Sequence, residues 1–250
     1  MANWRQVEIS GKTADVFEPS GSASGVVIFL HGHGLITLKD NSVYTELLEQ
    51  HRLCCICPHG KRSWWGDVIC TEFDPEISPA QFLRENVRTW MAANWGEAAA
   101  AVALLGVSMG GQGAVRLAYR HPAEFPVVVA LAPAIDYHSW YGRGLPLDEL
   151  YPDAEAARQD TATLQLHPMN WPRHQFILCD PIDREWIDGA ERLASKLSST
   201  GIPFESDFKT SHGGHSWSYF NHVAPRVMDY IAESLAKERQ RLPVVPPQVR

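Results

Sequence analysis

No stretch of this sequence is apolar enough to cross a bilayer. The most hydrophobic runs, VVIFL (26–30) and VVVALAP (127–133), fall far short of the roughly 20 residues a membrane helix needs. Basic charge is also scarce: 22 Lys and Arg stand against 29 Asp and Glu, a formal net charge of -7 at pH 7. General affinity for nucleic acid or anionic lipid, both of which need a basic field, is therefore not expected. Cysteine is sparse and odd in number, five in all, with Cys54, Cys55 and Cys57 on one predicted strand and Cys70 and Cys179 apart. The opening MANWRQVEIS lacks the apolar core of a secretory signal, and with the odd cysteine count this predicts reduced thiols in a cytoplasmic protein. A metal site at CCICPH is disfavoured because neighbouring strand residues point to opposite faces. No internal repeat is visible.

What is present fits one soluble globular domain over residues 1–240, since 250 residues at 45% hydrophobic and 20% charged can bury a substantial core. The Pro-rich RLPVVPPQVR (241–250) reads as an extended arm after the last helix. Trp4–Ile9 and Lys12–Phe17, separated by Ser10-Gly11, predict a polar-faced antiparallel pair. Short β-branched runs follow at 26–30, 53–57, 102–107, 127–132 and 176–179, as expected of strands covered on both faces. Helical spacing fills the gaps, with Phe82, Leu83, Val87, Trp90 and Met91 on one stripe and similar patterns in GAERLASKLSS and HVAPRVMDYIAESLAKE. The prediction is an α/β fold with a mainly parallel central sheet and helices on both faces. Residues 138–174, rich in Pro, Gly and aromatics, form a long insertion expected over the carboxyl edge of the sheet, where sites assemble.

The segment GVSMGG (106–111) joins the predicted strand VALLGV to a helix. A serine there occupies a sharp turn that lifts its hydroxyl out of the sheet edge, above a helix N-terminus whose free N–H groups favour an oxyanion. Alone, such a match could be an ordinary strand-to-helix turn. Ser108 as a nucleophile needs a base oriented by an acid, in the chain order serine, acid, histidine. Downstream lie CDPIDREW (179–186), after a predicted strand, and SHGGHSWSYF (211–220), a glycine-rich loop before the last helix.

His215 is preferred to His212 as base because Gly213 and Gly214 free the loop to bring its ring over the serine. Asp183 is preferred to Asp180 as acid, with Glu185 behind both, because three loop residues give it reach; the aspartate not used is read as the N-cap of the following helix. The oxyanion donors are assigned to the backbone N–H groups of Met109 and of His33 in HGHGL (31–35), with Gly34 next, and His31 is read as bracing that loop. His212 and His215, with His31 and His33, also raise a zinc reading, disfavoured because no helical histidine pair or carboxylate cluster accompanies them. No metal or organic cofactor is expected.

With FLHGHG, PHGKRSWWGD, FLRENVRTWMAANW, GVSMGGQGAVRLAYRHPAEF, DPID and GGHSWSYF, the chain resembles the α/β-hydrolase superfamily over most of residues 25–235. Within it the resemblance is to the esterase D-like group, which includes S-formylglutathione hydrolases and antigen 85 mycolyltransferases. It implies Ser108 as nucleophile, His215 as base and a backbone donor at His33. It also sets PHGKRSWWGD beside the substrate cleft, so Trp64 and Trp65 are candidates to line a pocket, with core packing as the alternative. Trp217 is expected beneath the catalytic loop, and Trp140 and Tyr141 are weaker pocket candidates. The expected activity is hydrolysis of small or short-acyl carboxylic esters, with a small-molecule ester as substrate, no nucleic-acid partner and no membrane insertion, and the oligomeric state left open. An acyltransferase or thioesterase would use the same triad, and a catalytically silent binding module is the reading of a different class.

Overall fold

The computed structural model describes residues 4–241. Its strands are β1 (Trp4–Ile9), β2 (Lys12–Phe17), β3 (Gly25–Leu30), β4 (Leu53–Pro58), β5 (Val102–Val107), β6 (Val127–Leu131), β7 (His174–Leu178) and β8 (Glu205–Asp207). They form one eight-stranded sheet in the order β1-β2-β4-β3-β5-β6-β7-β8. All pairings from β4 to β8 along that order are parallel, while β1 with β2 and β2 with β4 are antiparallel. Every residue of β3, β4, β5 and β6 is buried, which is why these strands read as continuous apolar runs rather than alternating ones. Only β1 presents the polar face expected of the first pair; β2 is buried from Ala14 to Phe17.

The helices are α1 (Ser42–His51), α2 (Pro79–Phe82), α3 (Arg88–Trp95), α4 (Met109–Arg120), α5 (Leu147–Leu150), α6 (Ala154–Gln159), α7 (Ala162–Gln165), α8 (Ile187–Ser199) and α9 (Trp217–Arg241). A π-helical turn over Leu83–Val87 carries α2 into α3. Arg241 closes α9, and the rest of the Pro-rich arm lies outside the described residues. Helix α1 left little periodic signal in the sequence, because its buried stripe is only Tyr44, Leu47 and Leu48; its start is capped by the Asn41 side chain.

The helix after the serine is buried all round, from Met109 to Tyr119. One side meets the sheet and the other is covered by the insertion. Arg116, 2% exposed, donates to the Asp160 carbonyl at 3.1 Å and pairs with its carboxylate at 2.5 Å. Tyr151 donates to the same carboxylate at 2.6 Å. A buried guanidinium is tolerated only when so paired, so Arg116 and Asp160 fasten the insertion to the helix beneath it. The insertion therefore does more than sit at the carboxyl edge, and it contains three short helices, α5 to α7.

Candidate active site

Ser108 sits between β5 and α4 with φ 55 and ψ -119, a conformation that costs on the order of 1–3 kcal/mol in a non-glycine residue. Its surroundings hold it there. The Ser108 N–H donates to the Leu131 carbonyl at 2.9 Å, and its own carbonyl accepts from Gln112 at 3.1 Å and Ala134 at 3.0 Å. The flanking glycines permit the close approach: a Cβ on Gly106 would lie 2.1 Å from the Gly110 carbonyl oxygen, and one on Gly110 would lie 1.9 Å from that of Leu30. The G-x-S-x-G spacing is thus dictated by contact of the elbow with its own helix and with β3.

The residues read as acid and base meet across two loops. His215 Nδ1 lies 2.7 Å from Asp183 Oδ2. Asp183 is 3% exposed, and its Oδ1 accepts the N–H groups of Glu185 at 3.2 Å and Trp186 at 3.3 Å, at the entrance to α8. Neither aspartate caps α8, whose N-cap Trp186 makes no side-chain capping bond; Asp183 instead receives the N–H groups of the turn that precedes the helix. Asp180 does not touch the imidazole; its carboxylate faces the backbone of the loop that carries His215. Ser108 and His215 line one cleft of about 290 Å³. Among the described residues they share no hydrogen bond, so the cleft rather than a direct contact relates them.

The loop after β3 forms the opposite lip. Gly32 is pressed against the serine, since a Cβ there would lie 3.3 Å from both Ser108 Cβ and the Val107 oxygen. The next residue, His33, lines the cleft. Its backbone N–H, like that of Met109 at the first position of α4, donates to no carbonyl of the described residues. Two N–H groups without a carbonyl partner among the described residues therefore lie near Ser108, one from the loop after β3 and one from the start of α4.

His31 braces this loop, as its position suggested. Gly60 N–H donates to Nε2 at 2.9 Å, so that nitrogen must be unprotonated, and Nδ1 carries the hydrogen toward the Gly32 carbonyl at 2.9 Å. Burial lowers the His31 pKa from 6.5 to about 4, outweighing the backbone hydrogen bond to Gly32 that raises it. The unfolded chain consequently binds more protons than the folded one between those values. Stability is expected to be lost as pH falls from about 6.5 through about 4. Melting temperatures across that window should show the loss, and His31→Gln, which can keep both hydrogen bonds without titrating, should reduce the slope.

Trp64 and Trp65 are 1% and 0% exposed and neither lines the cleft, which corrects the pocket-lining expectation. Trp65 is wedged between two glycines: a Cβ on Gly60 would approach its ring to 2.3 Å, and one on Gly113 would meet its Cβ at 2.4 Å. Its Nε1–H donates to the His31 carbonyl at 3.0 Å. Trp64 stacks on Tyr137 at 5.1 Å and packs behind the cleft residues His33 and Trp140. Both tryptophans therefore pack beneath the lip formed by the loop after β3. The wall itself comes from Trp140, Trp186, Trp217, Ile36 and Phe220. Trp140 was a minor candidate, Trp217 was expected only to pack below, and Tyr141 stays outside. Trp186, three residues after Asp183 and immediately before α8, was not among the sequence candidates.

The zinc alternative finds no support in the geometry. The His212 ring stacks on His222 with centroids 4.3 Å apart, and no group of three or more His, Cys, Asp or Glu among the described residues is arranged to hold a metal ion. Cys54, Cys55 and Cys57 are buried and free on β4. No described helix is long and apolar enough to cross a membrane.

Known proteins agree with this architecture. The S-formylglutathione hydrolase of Staphylococcus aureus superposes with a TM-score of 0.77 at 14% identity, covering 93% of this chain and 98% of that one. That of Agrobacterium tumefaciens gives 0.74 at 16% identity over 94% of both chains. MPT51 of Mycobacterium tuberculosis gives 0.74 at 16% identity, covering 94% and 99%. At such identities the likeness establishes the α/β-hydrolase fold alone. No protein of curated function matches the sequence. The profile of the Esterase family, however, matches residues 15–226, most of the chain. The chain belongs to the Esterase family of α/β-hydrolases.

Proposed function

We propose that this esterase-family chain hydrolyses small or short-acyl carboxylic esters through Ser108, His215 and Asp183, by way of an acyl-enzyme. The observation that carries the reading is the 2.7 Å contact of His215 Nδ1 with the buried Asp183 carboxylate, on the cleft that also receives Ser108. With Nδ1 engaged, Nε2 is left to take the serine proton. The alkoxide attacks the ester carbonyl, whose oxygen gathers charge between the N–H groups of Met109 and His33. The imidazolium, steadied by Asp183, then gives its proton to the departing alcohol. Water repeats the sequence on the acyl-enzyme.

A cleft of about 290 Å³ walled by Trp140, Trp186 and Trp217 lies at the small end of ligand sites and suits a short acyl group. No step calls for a metal or an organic cofactor. The buried free thiols suit the reducing cytoplasm proposed for it.

Turnover of p-nitrophenyl esters from acetate to octanoate tests the proposal. The expected result is hydrolysis that falls as the acyl chain lengthens and that survives exhaustive chelation. Loss of activity on chelation with recovery on adding zinc would replace the serine mechanism by metal chemistry. Product formed only when an acceptor alcohol or amine is supplied would make the protein an acyltransferase on the same three residues.

A further inference from the structure

We propose that Asp180 is a positioning residue: its ionised carboxylate ties the histidine loop to the acid turn and thereby sets the contact between Asp183 and His215. The proposal rests on the hydrolase reading above and adds a residue to it.

Asp180 is 0% exposed, just past the end of β7. Its Oδ1 accepts the Ile182 N–H at 3.0 Å and the Ser211 hydroxyl at 2.8 Å. Its Oδ2 accepts the N–H groups of His212 at 2.6 Å and Gly214 at 2.9 Å. Three of the partners are backbone N–H groups that can only donate, and an ionised carboxylate accepts from these and from the Ser211 hydroxyl together. Burial alone would raise the Asp180 pKa; the donors from Ile182, His212, Ser211 and Gly214 outweigh it and hold the group below its ordinary value.

The position of these partners gives the clamp its consequence. Three belong to residues 211–214, the stretch that leads directly into His215. That stretch turns through Gly213 at φ +89 and Gly214 at φ +68, conformations that leave the backbone little intrinsic stiffness. The fourth partner, Ile182, adjoins Asp183, whose own N–H donates back to the Asp180 carbonyl at 2.9 Å. One buried carboxylate thus holds both members of the 2.7 Å pair. His215 cannot hold itself: its side chain is 36% exposed, and among the described residues its ring is hydrogen-bonded only to Asp183. The ring stands where its loop is fastened.

Asp180→Asn tests this, since the amide NH2 must face at least one backbone N–H that also donates, Ile182 on one side or His212 and Gly214 on the other. The expected result is a kcat lower by about 10- to 100-fold, the scale of a misplacement near 1 Å, with KM changing far less. The downfield proton resonance of the His215 Nδ1–H bonded to Asp183, present in the wild type, should be lost or moved upfield. Ser211→Ala, which removes one exposed donor and leaves three, should give a smaller change in the same direction and serves if Asp180→Asn fails to fold. A folded Asp180→Asn with wild-type kcat and an unmoved resonance overturns the proposal. So does an unmoved Ser211→Ala where Asp180→Asn does not fold. If the wild type cleaves no ester, the hydrolase reading has failed, and the resonance still decides whether Asp180 positions the pair.

Discussion

Ser108→Ala is expected to lower kcat for ester hydrolysis by about 10³-fold or more with little change in melting temperature. The size follows from what the proposed mechanism would lose: the atom that bonds to the acyl carbon, leaving only the binding cleft and the two proposed N–H donors to act on attack by water. The small effect on stability follows from how the elbow is held. Its positive φ is maintained by backbone hydrogen bonds to Leu131, Gln112 and Ala134, and alanine meets that conformation at about the same cost as serine. The hydroxyl makes no hydrogen bond with the described residues, so its loss should fall within the roughly 0.5 kcal/mol of an ordinary surface change. Turnover and thermal melts of the purified variant check both halves. Near-wild-type turnover in clean protein would remove Ser108 from the chemistry.

Asp183→Asn should be the next most damaging change, with a kcat loss of roughly 10²- to 10⁴-fold and a smaller effect on KM. The carboxylate does two things in the structure, and the substitution separates them. Asparagine keeps an oxygen able to receive the N–H groups of Glu185 and Trp186, now taken by Oδ1, so the entrance to α8 survives. The amide nitrogen then replaces Oδ2 at the His215 ring. A donor in that place stabilises the tautomer with a bare Nδ1 and a protonated Nε2, which cannot accept the serine proton. It also withdraws the negative charge that steadies the imidazolium. Kinetics and melting curves on one preparation decide the matter: a folded Asp183→Asn enzyme with normal kcat would make the 2.7 Å contact structural only.

Comparison of the two aspartates shows what the sequence carried and what it withheld. Both follow the same strand within four residues, and loop reach favoured Asp183, the one found against the ring. The role of Asp180 was not legible: as a helix cap its loss would cost on the order of 1 kcal/mol, whereas it receives four hydrogen bonds, three of them from a loop about thirty residues downstream. No local pattern announces a partner that the parallel pairing of β8 with β7 brings close. The tryptophans make the same point. Their place in PHGKRSWWGD was visible, but whether an indole faces a cleft or lies under it depends on residues far along the chain, such as Gly113 against Trp65 and Tyr137 against Trp64. The elbow, by contrast, was legible because strand, glycines, serine and helix are contiguous, and each glycine answers to a contact within two neighbouring elements. The parallel sheet was legible for a related reason: strands buried on both faces must be apolar throughout. The short helices of the insertion bury few residues each and left no comparable period.

The proposed hydrolysis requires an activated serine, and labelling with a fluorophosphonate, read by mass spectrometry of the digested protein, tests for one most directly. The predicted result is one adduct per chain on the peptide containing Ser108, formed quickly by the wild type, slowed severely by His215→Ala and absent from Ser108→Ala. An unlabelled wild type, or an adduct on another residue that persists in Ser108→Ala, would contradict it.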